Sequence, residues 1–256
     1  MSSRPLPRRR PTPARFLRGK RPTDKPRAVA RDEASRATAS MTRGVRDAPA
    51  RGPAGGAYRS ALVAGFPKLA IALAGDFDAV VAGYVARHPG LRLSVREAGA
   101  KLAAHLATGH PRWWSEIAAI DRAYVEMMDD RDVALMTRED LGHADLASLE
   151  LALVPHRFVR LTTAADEVWA AIDRREPFDA PHELARPRTV VVWRSVGEVT
   201  HRTLDADEAR ALRSLTRTAP FSDVSAAFAR QANPSACALD AVLRWIDHGL
   251  LAAPPR

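Results

Sequence analysis

The sequence has little cysteine, no long apolar run and no cluster of metal ligands, and each shortage excludes a class of protein. Cys237 is the only cysteine in 256 residues, so neither an internal disulfide nor a cysteine-based zinc module can form. The longest apolar stretch, 60–75, contains Pro67 and Lys68 and is too short to cross a bilayer. The histidines are scattered without metal-site spacing. We therefore expect a soluble, cytoplasmic protein with no membrane span, no metal and no cofactor.

Signatures of catalysis are also missing. The sequence contains no Gly-x-Ser-x-Gly elbow, no phosphate-binding glycine loop and no dinucleotide fingerprint. Glu116, Asp121 and Glu126 share one helical segment, but a spacing of five residues does not place them on one helix face. We interpret these three as solvated surface carboxylates and expect that the chain is not an enzyme.

The positive charge of the chain is confined to its beginning. Residues 1–56 contain 15 Lys and Arg against 4 Asp and Glu, and 8 of the 19 prolines, whereas 57–256 contain 24 basic and 26 acidic residues. So few aliphatic residues occur in 1–56 that this segment cannot bury a core, and we interpret it as a disordered Arg/Pro-rich tail. The net charge of +9 therefore does not indicate a nucleic-acid surface on the folded part.

Residues 57–135 show helical periodicity throughout. Apolar residues recur every three or four positions in four successive segments. Pro67 and Pro111 stand where helices begin, and Ser94 with Glu97 has the spacing of a capping box. These features predict an N-terminal helical bundle.

Residues 136–256 mix strand and helix patterns. The segment 149–161 indicates an extended or edge strand, and 190–194 with 199–203 indicates a hairpin, whereas 177–187 has three prolines and indicates a loop. Four helix starts are predicted at polar residues, namely Thr163, Asp205, Ser222 and Asn233. The predicted fold class is thus mainly α: a helical bundle at 57–135, then a linker and a small winged-helix-like α+β module at 136–256.

The tryptophans are candidates for contact surfaces. Trp113 continues the apolar period of the long helix and is expected in the core. Trp114 lies about 100° further around that helix and is a candidate interface anchor. For Trp169 and Trp193 the sequence leaves packing and partner contact both open.

A helix-turn-helix that reads DNA is an alternative interpretation of the last three helices. Residues 205–248 contain five arginines against six acidic side chains. Phosphate neutralisation supplies most non-specific affinity for DNA, so this charge balance weakens the alternative. A DNA-binding or regulatory protein remains the second prediction.

The order and spacing of residues in 58–135 resembles the helical N-terminal domain of the HvfC/BufC family, long catalogued as a DNA-binding domain. The residues that carry the resemblance are Phe66-Pro67, Gly75, Phe77, Tyr84, His88-Pro89, Leu93, Gly99, Leu106, Pro111 and Ile117-Ala118. The Val192-Trp193-Arg194 hairpin and the helices after it are similar to the family's C-terminal part. The run Ile120-Asp121-Arg122 corresponds to a Leu-Glu-Trp-like run of the family and keeps its acid.

Members of this family accompany multinuclear iron oxidases of the methanobactin and bufferin type, which modify ribosomally made peptides. The resemblance implies a non-catalytic accessory subunit that binds the oxidase, and a precursor peptide that adds a strand to an exposed sheet edge. Trp114 and Arg122 are then the candidate partner-interface residues. The candidate peptide-binding edge consists of Val190, Val192, Trp193 and Arg194.

Overall fold

The structure is a computed structural model, and it describes residues 53–88, 94–215 and 218–253. The disordered tail predicted for 1–56 lies outside these ranges except for residues 53–56. Those residues already belong to the first described helix.

The first half of the described chain is helical, as the apolar periodicity predicts. Ser94 caps its helix by accepting a hydrogen bond from the Glu97 N–H, Pro67 is the first residue of its helix, and Pro111 directly precedes the longest one. The elements are α1 (Pro53–Gly65), α2 (Pro67–Leu73), a 3₁₀ turn (Ala74–Asp76), α3 (Phe77–Arg87), α4 (Val95–Ala98), α5 (Leu102–Leu106) and α6 (Arg112–Met128).

The second half alternates strands and helices. Asp205 and Asn233 cap their helices as predicted. The other two predicted helices are present, but their starts are displaced. Thr163 is the last residue of a strand and its helix begins at Ala165 after Ala164, and the helix expected at Ser222 begins at Phe221. The elements are α7 (Arg138–His143), β1 (Glu150–Leu151), β2 (His156–Thr163), α8 (Ala165–Arg174), β3 (Glu183–Ser195), β4 (Glu198–Leu204), α9 (Ala206–Ser214), β5 (Ala219–Pro220), α10 (Phe221–Ala227) and α11 (Pro234–Asp247).

A three-stranded antiparallel sheet of order β2-β3-β4 lies between two apolar cores, and β1 pairs with β5 in a separate two-stranded sheet. Val190 and Val192 on β3 belong to the core formed with α1–α6 and α8. Val191 and Trp193 on the opposite face belong to the core formed with α7 and α9–α11. Both faces of the central strand are therefore covered by helices, which explains its continuous apolar run.

This arrangement corrects the predicted fold class, because the chain has a mixed α/β fold and is not mainly α. The first part of β3 is 183–189. The prediction assigned this segment to a proline-rich loop as far as residue 187 and left 188–189 unassigned. β2 adds a third strand to the predicted hairpin. The hairpin is thus no peripheral wing of a small C-terminal module, since its strands take part in both cores.

The segment Pro67–Arg87 is the one candidate membrane span among the described residues, with a hydropathy of 1.6. A 3₁₀ turn divides it into α2 and α3. Its large apolar side chains are mostly buried in the first core, namely Leu69, Leu73, Phe77, Val80, Val81 and Tyr84. Packing in the first core therefore accounts for part of its apolar composition, while Ile71 remains exposed.

Gly99 is required by the close approach of Phe66. A Cβ atom at position 99 would lie 1.8 Å from Cε2 and 2.4 Å from Cζ of Phe66, whose side chain is buried. We expect Gly99→Ala to lower the free energy of unfolding by about 2 kcal/mol, because the ring must move within a packed core. Urea denaturation measures this. Gly142→Ala is the control, since a Cβ there meets nothing within 4 Å, and an equal loss in both variants would contradict the steric explanation.

Candidate functional site

A cavity of about 460 Å³ opens between α2, α6, α8 and β4. We call it the β4 cleft. Its walls combine a lysine, two carboxylates, aromatic rings and strand residues. The side chains used below are Lys68, Asp121, Tyr124, Trp169, Asp173 and His201.

Asp121 lies at the base of the β4 cleft and is 2% exposed. Its Oδ2 accepts hydrogen bonds from the backbone N–H groups of Lys68 (3.1 Å) and Leu69 (2.9 Å), and its Oδ1 accepts one from Trp169 Nε1–H (2.9 Å). The two backbone groups belong to the first turn of α2, where N–H groups have no partner within the helix. Burial raises the pKa of this carboxyl to about 6, although the hydrogen bonds oppose the shift. The prediction that Asp121 is a solvated surface residue is wrong.

Three aromatic rings line one side of the cleft. The ring centroid of Trp169 lies 5.0 Å from that of Tyr124 and 4.6 Å from that of His201. Tyr124 Oη and His201 Nδ1 are 2.7 Å apart and share a hydrogen bond. Burial raises the pKa of Tyr124 and lowers the pKa of His201, so both the neutral phenol and the neutral imidazole are favoured.

Lys68 reaches from α2 across these rings. Its Nζ lies 3.0 Å from the centroid of the Trp169 ring and 2.7 Å from Asp173 Oδ1. The hydrogen bond from Lys68 lowers the pKa of Asp173. The ammonium group is thus held by an aromatic face and a carboxylate together.

The backbone of β4 forms an open edge beside this cleft. Val196 and Gly197 form a two-residue turn with positive φ angles of 50° and 82°, which makes Ser195 and Glu198 a hydrogen-bonded pair. Hydrogen-bonded pairs alternate along an antiparallel ladder, so the N–H and C=O groups of Val199, His201 and Thr203 point away from β3. Within the described residues, no hydrogen bond joins these groups to another element.

At the opposite edge of the sheet, Glu116 of α6 binds the last two residues of β2. Its Oε1 accepts hydrogen bonds from the N–H and the hydroxyl of Thr162, both at 2.7 Å. Its Oε2 accepts them from the N–H (3.1 Å) and the hydroxyl (2.6 Å) of Thr163. Glu116 is 3% exposed, so its interpretation as a surface carboxylate is also wrong. Glu126 is half-buried and binds Arg122 and Arg157, and the hydrogen bond from Arg157 lowers its pKa against the opposing effect of burial.

The predicted peptide-binding edge does not have a free side. Val190, Val192, Trp193 and Arg194 lie on β3, whose neighbours are β2 on one side and β4 on the other. The Trp193 indole N–H donates to the His248 carbonyl, and Arg194 binds Asp132 and the Met128 carbonyl. The prediction that β3 is an edge is wrong, because the extended segment predicted at 149–161 was not paired with the hairpin, and its second half is part of β2.

The predicted partner-interface residues lie on α6 outside the cleft lining. Trp114 is half-buried and stacks on His110 with a centroid distance of 5.4 Å. Its indole Nε1–H is buried without a hydrogen-bond partner. Arg122 is half-buried and binds Glu126 and the Arg96 carbonyl. The two are eight residues apart, which is roughly 12 Å along the helix axis.

His105 and its neighbours form a separate aromatic cluster. The ring centroid of His105 is 5.9 Å from that of His88 and 6.0 Å from that of His110. Burial lowers the pKa of His105 and of His110. In the described ranges no group of three His, Cys, Asp or Glu side chains is arranged to hold a metal ion.

A second, open groove of about 600 Å³ lies among the C-terminal helices. It is lined by four arginines, at positions 186, 210, 230 and 244, and by three aspartates, at positions 205, 207 and 240. The middle one of the last three helices, α10, has only seven residues and buries Phe221, Val224 and Ala227. Interleaved charges and a short, mostly packed helix give little support to the DNA-binding alternative.

No protein-family model and no curated protein sequence matches this chain. A proposal about function therefore depends on the β4 cleft, the open edge of β4 and the resemblance described above.

Proposed function

We propose that this chain is a non-catalytic binding subunit that takes up an extended peptide along the open edge of β4. The observation that carries the proposal is the position of that edge, which is unpaired within the described part of the chain and borders a cavity with aromatic and charged walls. An added strand gains main-chain hydrogen bonds, and a pocket beside it selects alternate side chains. β4 provides the strand edge, and the β4 cleft provides the neighbouring pocket.

The outward groups of Val199, His201 and Thr203 provide the backbone contacts. Three residues supply three N–H donors and three C=O acceptors along one side of the strand. Side chains of an antiparallel pair alternate between the two faces of a sheet. Every second residue of a bound peptide therefore faces the first core and the β4 cleft, as His201 does.

The state of the ionisable groups favours binding over catalysis. Asp121 is engaged by three donors and Lys68 by Asp173 and Trp169. Tyr124 and His201 are hydrogen-bonded to each other. A nucleophile or general base needs a free lone pair aimed at a substrate, whereas each of these groups is already engaged by a partner within the protein.

The resemblance of 58–135 to the HvfC/BufC family supports a more specific proposal. The partner enzyme is then a multinuclear iron oxidase of the methanobactin or bufferin type, the peptide is its ribosomally made precursor, and the complex forms in the cytoplasm. Trp114 and Arg122 on α6 are the proposed contacts with the enzyme.

Co-expression tests the assembly. The tagged full chain is produced together with the products of the genes flanking its own, purified, and assayed for a stoichiometric partner and for iron. We expect an iron-loaded oxidase and a short peptide in the complex. Recovery of the chain alone overturns the proposed partner.

Thr203→Pro tests strand addition at β4. Proline removes an N–H that points away from β3, so the ladder within the protein is kept while one donor to an added strand is lost. Thr203→Ala is the matched control, because it removes the same hydroxyl contact with Asp166 and keeps the N–H. We expect Thr203→Pro to weaken peptide retention about tenfold relative to Thr203→Ala, which corresponds to one lost hydrogen bond. Equal retention by the two folded variants would argue against the edge of β4.

A further inference from the structure

Lys68 lies in the β4 cleft in the way that an ammonium ligand lies in an aromatic cage. Its Nζ is 3.0 Å from the Trp169 ring centroid, and Tyr124 and His201 stand beside that ring. Asp173 supplies the carboxylate at 2.7 Å. An electron-rich ring face together with a carboxylate binds organic cations in general, so the walls are not specific for the protein's own lysine.

The side chain of Lys68 is able to leave the cleft without unfolding α2. Its backbone N–H, like that of Leu69, is held by Asp121, so the helix start does not depend on the ammonium group. The Asp173 carboxylate that binds the ammonium is 66% exposed, whereas the Lys68 side chain is 15% exposed. The ion pair is therefore open to water on the carboxylate side, where screening weakens it, and removal of the Lys68 side chain leaves the backbone contacts of α2 in place.

We propose that the β4 cleft is a binding site for a basic side chain, closed in the free protein by Lys68. The occupant is a lysine or arginine side chain of the peptide strand that adds to β4, and it displaces the Lys68 ammonium from Trp169 and Asp173. The identity of this occupant rests on the proposed function. The cation site itself depends only on the side chains that line the cleft.

The first experiment uses a probe that cannot form a strand. Nα-acetyl-lysine methylamide is titrated into the full chain, and the indole N–H resonance of Trp169 is followed by NMR. Nα-acetyl-norleucine methylamide, which has no ammonium group, is the neutral control. We expect Lys68→Ala to bind the lysine probe about tenfold more tightly than the native chain does, since the internal competitor is gone. Lys68→Arg, which keeps a cation in the cleft, is expected to bind it as weakly as the native chain.

Asp173→Asn gives a second test that leaves α2 unchanged. The substitution weakens the binding of the Lys68 ammonium, but it also removes the carboxylate that the lysine probe needs. We therefore expect Lys68→Ala with Asp173→Asn to lose most of the affinity gained by Lys68→Ala alone. Equal affinity of Lys68→Ala for the lysine and norleucine probes, or no shift of Trp169, overturns the cation site. Because the probe adds no strand, these results are independent of those from Thr203→Pro.

Discussion

Replacing Glu116 by alanine is expected to lower the free energy of unfolding by about 4 kcal/mol. The carboxylate is 3% exposed and accepts four hydrogen bonds from Thr162 and Thr163. Two of the donors are backbone N–H groups, and leaving such a group unsatisfied costs about 1 to 3 kcal/mol. Because Glu116 joins α6 to the end of β2, its loss also loosens the contact between the helix and the sheet. Urea denaturation followed by circular dichroism measures the change.

Two variants separate hydrogen bonding from other effects of the substitution. Glu116→Gln keeps the side-chain size and one good acceptor, so we expect roughly half the loss seen for alanine. Glu198→Ala removes an exposed carboxylate from β4 and is expected to change stability by less than about 0.5 kcal/mol. A loss below about 1 kcal/mol for Glu116→Ala would show that water replaces the carboxylate.

The stability contributed by Asp121 is expected to fall as the pH rises from about 4 to about 6. Burial raises the pKa of this carboxyl from 3.8 to about 6 in the folded protein. The folded state therefore binds the proton more tightly than the unfolded state, so protonation favours folding. The contribution is present below the unfolded pKa and is lost as the pH rises through the folded one. A shift of about two units corresponds to about 3 kcal/mol.

Asp121→Asn isolates this contribution, because an amide does not titrate in this range. Buried imidazoles such as His105 and His201 have lowered pKa values and give a slope of the opposite sign. The informative quantity is therefore the difference in unfolding free energy between the native chain and Asp121→Asn, measured from pH 4 to pH 7. We expect the native chain to lose about 2 to 3 kcal/mol of unfolding free energy relative to Asp121→Asn over that range. If the unfolding free energies of the two proteins change with pH in parallel, the three hydrogen bonds offset the burial of the charge.

Local signals predicted local structure well. The cap at Ser94, the caps at Asp205 and Asn233, and the hairpin across Gly197 all depend on neighbouring residues and are confirmed. Such features follow from dihedral preferences and short-range hydrogen bonds. The error at Thr163 shows the limit, because its hydroxyl donates to Glu116, 47 residues away, and does not cap a helix.

The candidate site was missed because its parts are distant in the sequence. Lys68, Asp121, Trp169 and His201 come from four elements, and helix spacing within α6 contains no information about Lys68 or Trp169. Acidic residues five apart in one helix do not indicate burial, since exposed carboxylates have the same pattern. The one available signal was the continuous apolar run 190–193, which is typical of a strand covered on both faces.

The sequence by itself determined the helical character of 57–135, several helix caps and the hairpin, and that the positive charge is concentrated in 1–56. Tertiary structure decided which strand is central, which edge strand borders the cleft, and which carboxylates are buried. The physical reason is that burial and strand order depend on contacts between distant segments. Glu116 and Asp121 lose water only when β2 and α2 present their N–H groups, and β4 becomes the open edge only when β2 occupies the other side of β3.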